Sequence, residues 1–461
     1  RRYLTSIAAR LAERGYRRPL AVMTSNGGTL PAERVVDFPV HSMLSGPAAG
    51  VIGAAHVAAA SGHANLITYD MGGTSTDVCL VRDGQFAMTT EGRVGTLPNK
   101  VLQLEINSIG AGGGSIAWLG AGSFLNVGPR SAGAAPGPAC YGRGGEEPTV
   151  TDANVVLGRL GTVEPLGGEI RLDAGRARTA VARLAGALGI DAVLLADGIV
   201  KLAVVKMTGA IKEISMMRGH DPRAFALFAY GGAGPLHAAF IAAELGMSRV
   251  VVPPMPGNFS AFGLLVADVR HDEVRTRVTR TAELEFAELQ RLFGELTARA
   301  RARLAEDGFA PAAMRVQASL DMRYVGQAFE LAVPFDAGLA AMKDVDRAFY
   351  TAHEARYAHA TADPVEIVSL RVSAYGVGAK PSLPHATKDG SVPAARLTER
   401  AVLFDAVPTA TAVYARDRLP SGAALEGPAL IEEAGTTTVV PPGFRAGVDA
   451  HANLILERGA R

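Results

Sequence analysis

The stretch Asp70-Met71-Gly72-Gly73-Thr74-Ser75-Thr76-Asp77 constrains the fold of this chain more than any other. It follows the run Asn65-Leu66-Ile67-Thr68-Tyr69 and precedes Val78-Cys79-Leu80-Val81 and Arg82-Asp83-Gly84. Asp-Gly is a strong type I′ hairpin signal. The pattern predicts strand, glycine-rich turn, strand, tight turn, strand. Two glycines let the backbone approach a ligand and aim N–H groups at it, while Thr74, Ser75 and Thr76 supply hydroxyls. Asp70 and Asp77 bracket the turn with carboxylates, which suits Mg²⁺ or a water held against a phosphate. The same residues also suit an ordinary hairpin in which Thr and Asp cap the turn.

A chain of 461 residues holds two to four domains at about 150 residues each. Hydrophobic residues make up 48% and charged residues 20%, the balance of a globular chain and not of a disordered one. Net charge is +1 and no basic block is present, so nucleic acid is not an expected partner. No apolar run approaches the roughly 20 residues of a membrane span, and no signal peptide is read at Arg1. Cys79 and Cys140 form no disulfide framework, and a cytoplasmic location is expected. About a third of the 53 glycines fall between Asp70 and Gly145. That local excess builds loops.

The first residues read as a helix, with Leu4, Ile7, Ala8 and Leu11 on one face and Gly15 as a stop. A chain opening mid-pattern at Arg1-Arg2-Tyr3, without methionine, reads as truncated. Pro19 to Met23 reads as a buried strand ending in the turn Ser25-Asn26-Gly27-Gly28. Ser45 is placed as N-cap, with Pro47 in the first turn, of a helix from Ala48 to Ala60 whose face is small. That helix start is a candidate anion site beside the phosphate turn.

A second glycine cluster, Ile109-Gly110-Ala111-Gly112-Gly113-Gly114-Ser115-Ile116, offers either another backbone surface for a nucleotide or substrate, or a wide turn between strands. Val127 to Gly133 and Pro136 to Gly142 are too rich in Pro and Gly for regular structure, and read as an ordered loop over a site. Cys140 reads as a small buried thiol in preference to a nucleophile. Thr149-Val150-Thr151-Asp152-Ala153-Asn154 opens a helix, with Asp152 either an inward carboxylate or a partner of the helix dipole.

Asp197 to His220 carries the 3–4 apolar spacing of an amphipathic helix, and its methionines 207, 216 and 217 read as core filler. Ala224 to Tyr230 is a strand running into Gly231-Gly232-Ala233-Gly234-Pro235-Leu236-His237. A helix to Leu245 and the strand Arg249 to Val252 complete a βαβ unit. Its turn lies where α/β sheets bind ligands, although Gly-Gly-x-Gly is not a dinucleotide fingerprint. His237 reads as a packed residue. After Asp268 the texture changes, and the charged stretch His271 to Thr281 is expected to be an exposed boundary. Beyond it come a surface helix (Leu284 to Ala305), a hairpin (Arg315 to Val333), a helix (Val345 to Ala358), a strand (Val365 to Val372) and a β-rich tail (Ala401 to Glu457).

Together, the Asp70–Asp77 turn, Ala111-Gly112-Gly113-Gly114-Ser115, Pro136-Gly137-Pro138-Ala139-Cys140-Tyr141-Gly142, Thr149–Asn154 and Gly231–Ala238 resemble the hydantoinase A/oxoprolinase family. That family includes N-methylhydantoinase A-type subunits, ATP-dependent 5-oxoprolinases and acetone carboxylase β subunits. The likeness runs from Tyr3 to Asp268 and continues through Asp321-Met322-Arg323-Tyr324-Val325-Gly326-Gln327, nearly the whole chain. It implies an α/β fold: an actin-like/Hsp70-like ATPase (ribonuclease H-like) lobe over 1–270, then a smaller α+β, β-rich C-terminal domain over 281–461. It implies ATP and Mg²⁺, or another divalent metal, with ATP activating an amide oxygen or bicarbonate. Asp70 and Asp77 become the catalytic candidates. Gly72, Gly73, Thr74, Ser75, Thr76, Gly112 and Gly113 would face phosphate, and Gly231, Gly232 and Gly234 the adenosine. Asp70, Asp152 and Glu105 are the candidate metal ligands.

The sequence departs from the family pattern twice. The family's first lobe carries a further Asp-x-Gly-Gly-Thr-type loop that this chain does not contain, so half of the ATP site is expected elsewhere. Where members often have Asp-x-His before the glycine run, this chain has Glu105-Ile106-Asn107, which weakens a transition-metal site. The expected role is an A-type subunit of an ATP-dependent hydrolase of small cyclic amides (hydantoin, N-methylhydantoin or 5-oxoproline type), working with a B-type subunit. The alternatives are the β subunit of an acetone-type carboxylase and a non-catalytic assembly module.

Overall fold

Leu66–Met71 is buried at every position but Asp70 and forms a central strand buried on both faces. The computed structural model describes residues 1–94, 97–161, 168–387 and 389–459. Leu66–Met71 pairs antiparallel with Thr76–Arg82, which pairs antiparallel with Ile106–Ile109. On its other side lies Ala226–Tyr230, parallel to it, and then Arg249–Val252, parallel again. Numbered along the chain these five strands stand in the order 3-2-1-4-5 with the second reversed, the arrangement of a ribonuclease H-like lobe. Asp83 and Gly84 both have positive φ, 52° and 72°, and close a type I′ turn onto Gln85–Phe86.

The chain divides into two compact units, each discontinuous in sequence. One comprises Gly46–Val266 with Pro381–Arg461, the other Arg1–Ser45 with Ala267–Lys380. The linear division at 270/281 does not coincide with them. The reason is strand pairing. Leu454–Arg458 pairs antiparallel with Arg249–Val252, so the tail extends the central sheet, which has nine strands among the described residues. Phe444–Val448 and Ala424–Glu426 follow Leu454–Arg458 in that sheet, and the tail strands Arg396–Phe404, Val407–Ala415, Ala429–Glu433 and Thr436–Val440 make a separate four-stranded sheet.

Helices cover the larger unit's sheet. Ala192–Ile214 begins earlier than its apolar spacing predicts, because Asp191 caps it by accepting from the Val193 and Leu194 N–H groups. Its inward face carries Leu195, Ile199, Ala203, Met207 and Ile211. Met207 fills the core, whereas Met216 and Met217 lie beyond the helix and are 56% and 78% exposed, not core filler. Ser45 is the first residue of its own helix and not its N-cap.

In the other unit Val269–Arg280 pairs with Val365–Gly376 along its length, which pairs in turn with Met314–Tyr324. The stretch expected to be an exposed boundary is thus part of a strand: His271 and Glu273 are buried, whereas Val274 to Thr276, Val278 and Arg280 are exposed as expected. The buried charges at its start are paired: Arg270 with Asp272 at 3.1 Å, His271 with Asp307 at 2.6 Å and Glu273 with Arg303 at 3.0 Å. Helix Phe286–Glu306 lays Leu289, Leu292, Phe293, Leu296 and Leu304 on this sheet. Among the described residues no helix is long and apolar enough to cross a membrane.

Candidate functional site

Antiparallel pairing of Leu66–Met71 with Thr76–Arg82 sets Asp70 directly opposite Asp77. The Gly72 N–H donates to Ser75 O (3.1 Å) and closes the turn, while Gly73 and Thr74 remain exposed at its tip. Among the described residues the Gly73 and Thr74 N–H groups have no acceptor, and unpaired backbone donors on a tight turn form an anion-binding concavity. Parallel pairing places Tyr230 beside Asp70, so the following Gly231 turn emerges next to the first one. Both turns lie at the carboxyl ends of adjacent parallel strands, where α/β sheets take ligands. The Ala233 N–H donates to Met71 O at 2.9 Å and ties the two together. Gly231 has φ +80°, and a Cβ there would lie 2.4 Å from Asp70 Oδ1. Only glycine fits.

Burial, and then the neighbouring Asp77 charge, push the Asp70 carboxyl up to about 7. Ser260, donating to Asp70 Oδ2 at 3.5 Å, pulls the other way. Asp77 is also raised by burial, with its cross-strand neighbour Ser108 opposing. Asp77 Oδ1 is buried and has no hydrogen-bond partner among the described residues. Two partly desolvated carboxylates with an unmatched oxygen are the setting a hard cation relieves. Cys79 and Cys140 are both buried and burial raises both thiols, Cys79 to about 12, so neither has thiolate character. His237 is buried, and burial and the Arg159 charge lower it to about 3, a neutral packed residue.

Several expected site residues have other work. Thr76 is buried, its hydroxyl donating to Ala111 O, so of the turn's own three hydroxyls those of Thr74 and Ser75 are left for a ligand. Gly112 and Gly113 are buried with their backbone groups spent. The Gly112 N–H donates to Ser115 Oγ, the Gly113 N–H donates to Gly72 O (3.0 Å), and Gly113 O accepts from Thr151. A Cβ on Gly112 would sit 2.6 Å from Gly73 C and Thr74 N. The glycine cluster is thus a turn between strands that backs the Asp70–Asp77 turn from behind.

Asp152 is fully buried in a capping box with Thr149, its oxygens also accepting from the Ala139 and Cys140 N–H groups at 3.2 and 2.7 Å. It anchors the Pro136–Gly142 loop. Glu105 is ion-paired with Arg218. Among the described residues no three His, Cys, Asp or Glu side chains gather as a metal site. The expected set Asp70, Asp152 and Glu105 is therefore not brought together; Asp70 and Asp77 are. Ser260 was not among the expected residues. Nothing but its place at the start of the Phe259–Val266 helix marks it in the sequence.

A ribonuclease H-like sheet with glycine turns at the ends of adjacent strands defines an actin-like/Hsp70-like ATPase lobe with a β-rich C-terminal part. Residues 1–273 match the model of the hydantoinase/oxoprolinase family and residues 278–458 that of its C-terminal domain. The chain belongs to the hydantoinase/oxoprolinase family. It is 37% identical to caprolactamase subunit alpha of Pseudomonas jessenii, over 99% of this chain and 67% of that relative. The crystal structure of the ATP-dependent caprolactamase from that organism superposes with a TM-score of 0.89 and 36% identity, over 100% of this chain and 68% of that one. Acetone carboxylase beta subunit of Xanthobacter autotrophicus is 30% identical, over 98% of this chain and 65% of the relative. For 5-oxoprolinase 1 of Arabidopsis thaliana the identity is 32%, over 94% and 36%.

Proposed function

We propose that this chain supplies one nucleotide-binding lobe of an ATP-dependent hydrolase of small cyclic amides, as the A-type subunit beside a B-type partner. Asp70 and Asp77 would hold Mg²⁺ or another divalent cation, and Gly72, Gly73, Thr74 and Ser75 would face the phosphates. Gly231, Gly232 and Gly234 would face the adenosine. ATP, when bound, would supply a phosphoryl group to an amide oxygen with ADP as the leaving group, making an inert ring open to water. The chain's own residues position that group. The carrying observation is the Asp70–Asp77 pair beneath the open Gly73–Thr74 tip, with Gly231 against Asp70. The 37% identical caprolactamase subunit favours a hydrolase. A ketone-carboxylase subunit is the second reading, favoured by the 30% identical acetone carboxylase subunit.

Calorimetric titration with Mg²⁺-ATP tests the site. Wild type should bind in the micromolar range, and Asp70→Ala should weaken binding at least about tenfold, the loss of roughly 1.4 kcal/mol. Equal affinity in the two proteins would remove Asp70 from the site.

A further inference from the structure

We infer that Glu433, from the β-rich tail, is a positioning residue that holds Met255 as a wall of the nucleobase subsite, so that the tail contributes to recognition of the purine. The inference deepens the nucleotide reading above and rests on it. Three glycine-bearing turns of one compact unit meet around Gly232. They are Gly231–Gly234 itself, the Met255–Asn258 loop that follows Arg249–Val252, and the Ala434–Gly435 tip of the Ala429–Val440 hairpin. A methyl group added to Gly232 would lie 3.5 Å from Gly435 O. One added to Gly257 would lie 3.9 Å from both Gly232 Cα and Gly435 O. The three backbones lie close together beside the turn that would face adenosine.

Met255 opens the loop that packs against this turn, and it is in an unusual state. Its backbone is left-handed, at φ 49° and ψ 51°, and its side chain is 63% exposed. A long, unbranched residue at positive φ is uncommon and is held there only by surrounding structure. The holding group is Glu433, whose Oε2 accepts the Met255 N–H at 2.9 Å. Glu433 is fixed in turn by an ion pair with Arg416, only 8% exposed, whose Nη2 donates to Val252 O and Ala452 O at 2.7 and 3.0 Å. The Gly231 N–H donates to Pro256 O at 2.9 Å, which couples the strained loop to the glycine turn. A largely buried carboxylate and guanidinium thus fix the backbone of one exposed methionine next to the glycine turn. Polarisable sulfur against an aromatic face is a favourable contact.

Met255→Gly separates this role from a structural one. Glycine accepts positive φ without strain, so the variant should melt no lower than wild type. Its Mg²⁺-ATP dissociation constant should nevertheless rise about tenfold, while the affinity for Mg²⁺-tripolyphosphate, which has no base, stays unchanged. Glu433→Gln, which keeps an acceptor for the Met255 N–H but loses the charge pairing Arg416, should raise the ATP constant by a smaller factor and again leave tripolyphosphate unaffected. Wild-type ATP binding that Met255→Gly leaves unchanged, or parallel losses for ATP and tripolyphosphate, would overturn the inference alone. A wild type that binds neither would overturn the nucleotide reading and this inference with it.

Discussion

Asp70 is the residue on which chemistry and stability meet. Its folded carboxyl titrates at about 7 against an ordinary 3.8, so between those values the folded state holds a proton that the unfolded chain releases. The stability tied to that proton is fully present below about pH 4 and is lost as pH rises through about 7. Asp70→Asn removes the titration. In metal-free buffer it should raise Tm at pH 8 by roughly 2–4 °C and match wild type near pH 4, as measured by scanning calorimetry. A constant offset at both pH values would contradict the raised value. The pair with Asp77 is legible in the sequence because a two-strand hairpin fixes which residues oppose each other. Asp152 is not legible in that way. A carboxylate three residues after Thr149 reads equally as a ligand or as a cap, and only the arrival of the Ala139 and Cys140 N–H groups decides for the cap.

At the scale of elements, the glycine cluster at 110–114 serves the site without lining it. Gly113 and Gly114 donate to Gly72 and Gly73 carbonyls, locking the Asp70–Asp77 turn in place. Gly112→Ala would thrust a methyl group into the Gly73–Thr74 peptide. It should cost about 1–3 kcal/mol in chemical denaturation and weaken Mg²⁺-ATP binding as well, although Gly112 itself faces no ligand. Unchanged ATP affinity in a folded Gly112→Ala protein would show that the turn does not depend on this backing. The βαβ unit whose turn carries Gly231 is legible from its strand, turn and helix signals, and the structure reproduces it. Val269–Arg280 is the opposite case. Its alternation is hidden by charges whose partners, such as Asp307 and Arg303, come from a helix and loop that local sequence cannot bring to mind.

Across the whole molecule, what the sequence conceals is long-range pairing. A Pro- and Gly-punctuated tail reads as a separate β-rich domain, yet its last strand joins the edge of the sheet whose centre carries Asp70. Glu433 and Gly435 reach the Gly231 turn from the tail's separate four-stranded sheet, and no local pattern marks them. The family motifs are local and therefore readable, whereas the walls around them are assembled from distant segments. One measurement tests the central claim most directly: a crystal structure of the chain soaked with Mn²⁺ and a non-hydrolysable ATP analogue. We expect an anomalous Mn²⁺ peak within ligand distance of Asp70 or Asp77, phosphate oxygens against the Gly73 and Thr74 N–H groups, and the base beside Gly232. A well-ordered nucleotide elsewhere, with both carboxylates free of metal, would contradict the account.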